Sequence, residues 1–127
     1  MKKVLIVEDD RSQQFLISHY MTKSFVDCEI ITADNGVEGL QKIEYETPDL
    51  VLLDISMPIL NGLEMLERLR CKYLSKIPVI ALTALSDQTT ILKMVSLGIV
   101  DYLVKPITPY MVLDKIGKAL NAAYSAG

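Results

Sequence analysis

The stretch Pro48-Asp-Leu-Val-Leu-Leu-Asp54 decides the fold, because four consecutive apolar residues lead directly into a carboxylate. Short continuous runs of this kind, rich in Val, Ile and Leu, are typical of strands covered on both faces of a parallel sheet. Similar apolar runs occur at Val4–Val7, Ile30–Ala33, Pro78–Leu82 and Tyr102–Val104. We therefore predict five strands, of which Leu50–Leu53 is the third.

Each predicted strand is followed by a segment whose apolar residues have helical spacing. These residues are Ile17, Met21 and Phe25; Val37, Leu40 and Ile43; Leu63, Leu66 and Leu69; Ile91, Met94 and Val95; and Val112, Leu113, Ile116 and Leu120. Five alternations of strand and helix predict a doubly wound α/β fold, with a parallel sheet, right-handed crossovers and helices on both faces. We expect one domain over residues 1–127, with a core of about residues 2–121 and a short C-terminal tail.

Capping residues mark several of the predicted helix ends. Asn35 and Asn61 each precede a Glu by three residues, close to the pattern of a capping box. Thr108–Pro109 combines a capping hydroxyl with proline at the first helical position. We expect Ser86 to cap the fourth helix and Gly98 to end it.

Composition narrows the classes of function. Half of the 127 residues are apolar, and 16 acidic residues against 13 basic ones give a net charge of −3. This balance argues against binding to nucleic acid or to a membrane surface, because both kinds of binding favour a protein with a basic face. No stretch is apolar enough for a signal peptide or a membrane span. Together with only two cysteines, these features predict a cytoplasmic protein.

Polar residues collect where the predicted strands end. Strand one leads into Glu8-Asp9-Asp10, strand three into Asp54, strand four into Thr83 and strand five into Lys105. The carboxyl ends of parallel strands share one edge of the sheet, and ligands bind there in open α/β sheets. We therefore expect carboxylates, a hydroxyl and an ammonium group at one site.

This set of residues is suited to phosphoryl chemistry. Clustered carboxylates repel one another unless one of them is protonated or a cation lies among them, and oxygen ligands favour Mg²⁺ or Mn²⁺. A carboxylate at a strand end, such as Asp54, can act as a nucleophile towards phosphorus. Lys105 and Thr83 would bind phosphoryl oxygens. The loop after strand one lacks the glycines of a phosphate-binding loop, which disfavours nucleotide binding.

Five segments of the chain, taken in order, are similar to one known family. They are Val4-Leu-Ile-Val-Glu-Asp-Asp10, Pro48-Asp-Leu-Val-Leu-Leu-Asp54, Ile55-Ser-Met-Pro58 with Asn61-Gly62, Leu82-Thr-Ala84, and Asp101-Tyr-Leu-Val-Lys-Pro106. In combination they resemble the CheY-like receiver domains of two-component response regulators. The resemblance extends from Lys2 to about Asn121 and implies a flavodoxin-like fold with strand order 2-1-3-4-5.

The resemblance also implies roles for individual residues. Asp54 would be the phosphoacceptor, Asp9 and Asp10 would be acids of the metal site, and the backbone carbonyl of Ser56 would be a metal ligand. No catalytic activity is implied beyond self-phosphorylation and self-dephosphorylation at Asp54. The partners would be a sensor histidine kinase or a histidine phosphotransfer protein, and an output protein or domain.

Further roles concern the switch between two states. The resemblance implies that Thr83 is the switching hydroxyl, that Tyr102 is a rotating aromatic residue, and that Lys105 precedes a cis peptide bond to Pro106. The surface of helix four, strand five and helix five would change on phosphorylation, and a homodimer through that surface is a further possibility. Leu85 offers no polar group to an attacking water, so we expect slow dephosphorylation; an unchanged phosphoryl lifetime in Leu85→Glu would contradict this.

Alternative interpretations stay open at this point. Asp9 and Asp10 could simply cap a helix, Asp54 could form a turn, and Tyr102 could be a packing residue. A Mg²⁺-dependent phosphatase or phosphotransferase would also use an aspartate nucleophile, but needs a substrate pocket for which the short loops offer little material. An unphosphorylated interaction module is the third reading. The sequence does not decide between a separate receiver and one domain of a larger regulator.

Overall fold

The five strands form one parallel sheet. The computed structural model describes residues 1–25 and 27–126, with the side chains of all of these except Leu85 and residues 122–126. The strands are β1 (Lys2–Val7), β2 (Cys28–Ala33), β3 (Leu50–Asp54), β4 (Val79–Thr83) and β5 (Asp101–Val104). Their order is β2-β1-β3-β4-β5 and every neighbouring pair is parallel, which confirms the predicted fold class.

Five helical regions connect and follow the strands. They are α1 (Arg11–Ser24); α2 (Gly36–Glu46); α3 (Gly62–Glu67, continued by a π-helical turn over Arg68–Lys72); α4 (Gln88–Ser96, preceded by a 3₁₀ turn over Leu85–Asp87); and α5 (Pro109–Met111, a π-helical turn over Val112–Ile116, then Gly117–Ala126). None of the helices in the described part of the chain combines the length and apolar composition needed to cross a membrane.

The core lies on both faces of the sheet. Side chains alternate along a strand, so Val4 and Ile6 of β1 face one cluster while Leu5 and Val7 face the other. The first cluster includes residues of α1 and α5, and the second includes residues of α2, α3 and α4. All five residues of β3 are buried, as its continuous apolar run predicts.

Most of the expected helix ends are present. Asn61 and Glu64 form a complete capping box, and the side chains of Asn35 and Thr108 each accept a hydrogen bond from a backbone amide of the first turn. Gly98 follows α4 with φ +84°, a left-handed conformation that glycine adopts at low cost.

The prediction that Ser86 caps α4 was wrong. A 3₁₀ turn over Leu85–Asp87 precedes the helix, so Ser86 lies outside the capping position. The carboxylate of Asp87 accepts a hydrogen bond from the backbone amide of Ala84, 3.2 Å away, and this bond closes the 3₁₀ turn instead. The N-cap of α4 is Asp87, so the helix begins one residue later than the sequence suggests.

The strand register brings four strand ends to one edge of the sheet. Val7 of β1 pairs with Leu53 of β3, and Thr83 of β4 pairs with Val104 of β5. The backbone amide of Lys105 also donates to the carbonyl of Thr83 at 2.7 Å, which extends the pairing beyond β5. The next peptide bond, Lys105–Pro106, is cis, as the family resemblance implies.

Candidate functional site

A lysine joins two buried carboxylates at the carboxyl-terminal edge of the sheet. Asp54, the last residue of β3, is only 4% exposed, and Glu8, directly after β1, is 1% exposed. The Nζ atom of Lys105 lies 3.0 Å from Oδ1 of Asp54 and 3.0 Å from Oε1 of Glu8. The topology therefore gathers Asp54, Lys105 and Glu8 at one edge, as the predicted strand ends imply.

The carboxyl group of Glu8 is in a strongly perturbed environment. Burial, followed by the neighbouring Asp54 carboxylate, raises the pKa of Glu8 to about 8, although Lys105 acts in the opposite direction. Burial by itself lowers the pKa of the Lys105 ammonium, but its bonds to Glu8 and Asp54 raise that pKa overall. Oε2 of Glu8 is buried and has no hydrogen-bond partner among the described residues. Two ionised carboxylates would outnumber the one lysine, so Glu8 keeps its proton to a higher pH than an ordinary glutamate does.

Three carboxylates could hold a cation together. Among the described residues, one oxygen each of Glu8, Asp9 and Asp54 lies within 4.8 Å of the other two. Two of these groups are buried and Asp9 is exposed, so the group opens to solvent on one side. An all-oxygen donor set of high negative charge fits a hard divalent ion, and the unpartnered Oε2 of Glu8 fits a missing positive neighbour.

Asp10, which the sequence argument assigns to the metal site, lies elsewhere. It is the N-cap of α1, and its Oδ1 accepts hydrogen bonds from the backbone amides of Ser12 at 2.8 Å and Gln13 at 3.3 Å. The structure does not bring Asp10 into the carboxylate group, because its oxygen satisfies the otherwise unpaired amides of the helix start. The geometry favours Glu8 in its place, a residue to which the sequence argument gives no role.

A buried glutamine holds the loop that carries the acids. Nε2 of Gln14 donates to the backbone carbonyl of Glu8, to that of Ala33 and to Oδ1 of Asp34, the last at 2.8 Å. Gln14 first, and then Arg11, lower the pKa of the Asp34 carboxyl. These contacts tie the start of α1 to the end of β2 and thereby fix the backbone beside Asp9.

The loop after β3 packs tightly against the backbone of Asp54. The amide of Gly62 donates to the carbonyl of Ile55 at 2.9 Å. A Cβ atom on Gly62 would lie 2.3 Å from the carbonyl oxygen of Asp54, so only glycine fits there without a backbone shift. Ser56 is exposed in this loop, and its predicted role as a metal ligand stays a prediction.

Thr83 and Tyr102 line a cavity between α4 and β5. The cavity has a volume of about 330 Å³ and is also lined by Gln88, Ile91 and Val104. The hydroxyl of Thr83 donates to the carbonyl of Ala84 at 2.9 Å. Tyr102 is 40% exposed, and Nζ of Lys115 lies 5.0 Å from the centre of its ring. The two predicted switch residues thus border the same space.

The side chain of Leu85, on which the expected phosphoryl lifetime depends, lies outside the described part of the structure. His19 is exposed on α1, where its ring stacks on that of Phe15 with the ring centres 6.1 Å apart.

The sequence matches known signalling proteins. The model of the family described as "Response regulator receiver domain" matches residues 4–117. The alkaline phosphatase synthesis transcriptional regulatory protein PhoP of Bacillus subtilis is 38% identical over 120 residues, which cover 94% of this chain and 49% of that protein. The probable C4-dicarboxylate response regulator DctR of Bacillus subtilis is 41% identical over 121 residues, 94% of this chain and 50% of that protein. The chain therefore spans about half the length of these relatives.

Solved structures have the same fold. The N-terminal domain of an uncharacterized protein from Wolinella succinogenes superimposes with a TM-score of 0.88 at 31% identity, covering all of both chains. A CheY-like receiver domain protein from Methanospirillum hungatei gives a TM-score of 0.88 at 30% identity, with 100% of this chain and 99% of the other covered. These neighbours agree with the strand order found in the sheet.

Proposed function

The chain belongs to the family of response regulator receiver domains of two-component systems, and from this premise we propose that Asp54 accepts a phosphoryl group and works as a signalling switch. The donor would be a sensor histidine kinase or a histidine phosphotransfer protein. The receiver would act in the cytoplasm on an output protein or domain, and its only catalytic steps would be phosphorylation and dephosphorylation of itself.

The placement of Asp54 beside Lys105 carries the proposal. The carboxylate stands at a strand end, shielded on most sides, with an ammonium 3.0 Å away. In the transfer, an Oδ atom of Asp54 forms a bond to phosphorus while the bond from phosphorus to the donor nitrogen breaks, and the electron pair leaves with that nitrogen. Lys105 would stabilise the negative charge on the phosphoryl oxygens as they approach.

We propose that Glu8, Asp9 and Asp54 hold Mg²⁺ or Mn²⁺, with the carbonyl of Ser56 as a further ligand. The close carboxylate oxygens and the unpartnered Oε2 of Glu8 support this donor set. A divalent ion at this position would supply the positive charge that lets an anionic phosphoryl group approach several carboxylates.

The phosphoryl group would change the surface near Thr83. It adds about −1.5 to −2 charges and strong hydrogen-bond acceptors. The hydroxyl of Thr83 now donates to the carbonyl of Ala84, and we propose that it exchanges this acceptor for a phosphoryl oxygen. That movement would alter the cavity that Tyr102 borders and shift α4, so the surface of α4, β5 and α5 would bind the output partner differently.

Mass spectrometry of the intact protein tests this function. The chain is incubated with Mg²⁺ and acetyl phosphate, and parallel samples contain EDTA or the Asp54→Asn variant. We expect a gain of about 80 Da, the mass of one phosphoryl group, only in the parent protein incubated with Mg²⁺ and acetyl phosphate in the absence of EDTA. Repeated turnover of small phosphate esters without an adduct would indicate an enzyme instead, and absence of both would leave an interaction module.

A further inference from the structure

An apolar groove lies between α2 and the π-helical end of α3, outside the candidate site. Its cavity has a volume of about 230 Å³ and is lined by Leu40, Ile43, Glu44, Leu69, Tyr73 and Ser75. An apolar cavity of about 150 Å³ is enough to bind a benzene molecule. The groove can therefore accept one bulky apolar side chain.

The segment beside the groove presents large apolar side chains to solvent. Tyr73 is 55% exposed and Leu74 is 77% exposed, and Leu74 has a φ of +54°, which is uncommon for a residue other than glycine. The guanidinium of Arg70 holds this segment, because Nη1 donates to the carbonyls of Ser75 at 3.1 Å and Ile77 at 2.8 Å. The apolar surface is thus part of a fixed structure.

Three exposed cations directly precede or follow, in the sequence, residues that line the groove. Arg68, Lys72 and Lys76 are exposed, and none of them takes part in the ion pairs found among the described residues. Arg68 lines the cavity next to the groove together with Tyr73, and Nζ of Lys72 lies 5.6 Å from the centre of the Tyr73 ring. Glu44 lines the groove and the exposed Glu67 precedes Arg68, so cations outnumber acids here by three to two on a chain of net charge −3.

From this combination we propose that the groove binds an acidic segment of a partner protein, which inserts one bulky apolar side chain. The unpaired cations would contact its carboxylates, and such charge complementarity favours one class of partner over others. Three cations on a concave apolar surface are fewer than an extended nucleic acid or an anionic membrane typically requires.

The groove is remote from the phosphoacceptor, so the partner would bind without covering it. Helix α3 begins at Gly62, next to Asp54, and runs back along the sheet, so its end at Lys72 lies towards the opposite edge. The inference therefore goes beyond the proposed function and does not depend on phosphorylation of Asp54.

Selection from a random dodecapeptide display library tests the proposal. The whole chain serves as bait, and bound peptides are measured by isothermal titration against the Arg68→Glu/Lys72→Glu variant. A matched control, Lys23→Glu/Lys93→Glu, reverses two exposed cations on α1 and α4 that likewise take part in none of the ion pairs of the described residues. We expect the selected peptides to carry net negative charge and a large apolar residue. Their affinity should fall at least about tenfold in the groove variant and stay within about twofold in the control.

Three further measurements complete the test. Amide chemical shifts should change on peptide binding at Leu40, Ile43 and Tyr73, and Tyr73→Ser should weaken the same peptides. Phosphorylation by acetyl phosphate should be equal in the parent and the groove variant, which separates this proposal from the role of Asp54. The proposal is overturned if selected peptides are neutral or basic, if both charge reversals act equally, or if the groove instead mediates self-association or binding to phosphatidylserine vesicles.

Discussion

The ammonium nitrogen of Lys105 lies 3.0 Å from Oδ1 of Asp54 and, at the same time, 3.0 Å from Oε1 of Glu8. One positive charge is thus shared by two buried carboxylates, while the exposed Asp9 completes a group of three acids. In the part of the chain that the structure describes, the second oxygen of Glu8 has no hydrogen-bond partner. Because positive charge is short here, the same acids affect both the stability of the fold and its ability to bind a cation.

The first prediction concerns the pH dependence of stability without metal. The pKa of Glu8 is raised from an ordinary value of 4.5 to about 8, chiefly by burial. Between these values the folded protein holds this proton more tightly than the unfolded chain. The contribution of Glu8 to stability is therefore fully present below about pH 4.5 and is lost as the pH rises towards 8. The slope is at most about 1.4 kcal/mol per pH unit.

Urea denaturation in EDTA from about pH 5 to about pH 8 measures this effect. Glutamine does not ionise, so in Glu8→Gln the free energy of unfolding should depend less on pH than in the parent protein. Added Mg²⁺ should also reduce the slope, because the ion favours ionised Glu8. Parallel curves for the parent and Glu8→Gln in EDTA would rule out this role for Glu8.

The second prediction separates Glu8 from Asp10 as a metal ligand. Glu8→Gln and Asp9→Asn should each weaken Mn²⁺ binding at least about tenfold, or about 1.4 kcal/mol. Asp10→Asn should change the affinity less than about twofold, because asparagine caps a helix as well as aspartate does. Titration with Mn²⁺, followed by electron paramagnetic resonance, provides the measurement. Equal losses in Asp10→Asn and Asp9→Asn would instead support the assignment made from the sequence.

The third prediction concerns the close contact of Gly62 with the backbone of Asp54. In Gly62→Ala the new Cβ would lie 2.3 Å from the carbonyl oxygen of Asp54 and must displace it. We expect a loss of about 2 kcal/mol in the free energy of unfolding. Phosphorylation by acetyl phosphate should slow at least about tenfold, because the nucleophile moves.

Gly98→Ala is the matched control for this variant. Gly98 has φ +84°, but an added Cβ would meet nothing within 4 Å, and the residue lies after α4. The left-handed backbone should cost about 1 kcal/mol while the phosphorylation rate stays unchanged. If Gly62→Ala slowed phosphorylation no more than Gly98→Ala, the tight loop would have no part in placing Asp54.

The fourth prediction concerns Arg70, which connects α3 to the end of α4. Its guanidinium donates to the carbonyls of Ser75, Ile77, Leu97 and Gly98, over distances of 2.8 to 3.3 Å. Arg70→Ala should lower the free energy of unfolding by about 2 kcal/mol, since several part-buried acceptors lose their donor. Arg68→Ala, which removes an exposed and unpaired arginine two residues earlier, should cost less than about 0.5 kcal/mol. Equal urea midpoints for the two variants would contradict this role.

The sequence predicts the sheet well, because the buried strands are continuous apolar runs bounded by polar residues. The predicted run Leu50–Leu53 falls within the observed strand Leu50–Asp54. Parallel topology then places Asp54 and Lys105 at one edge with no knowledge of their contacts. Alternation of strand and helix therefore determined both the fold class and most of the site.

The choice among Glu8, Asp9 and Asp10 could not be made from the sequence. It depends on which residue ends β1, and a shift of one residue turns a side chain from the sheet edge to the start of α1. Asp10 also has the residue type favoured at helix starts, so capping and metal binding give the same local pattern. Lys105 contacts Glu8, which is 97 residues away in the sequence, so only the three-dimensional structure shows that Glu8 faces the site.

Identification of the phosphorylated residue by borohydride reduction tests the central claim most directly. An acyl phosphate on an aspartate is reduced by borohydride to homoserine, which tandem mass spectrometry locates in the sequence. After incubation with Mg²⁺ and acetyl phosphate, we predict homoserine at position 54 and at no other acidic position, with none formed in EDTA. Homoserine at position 9 or 10 with Asp54 intact, or no reduction product despite a phosphorylated protein, would contradict the account.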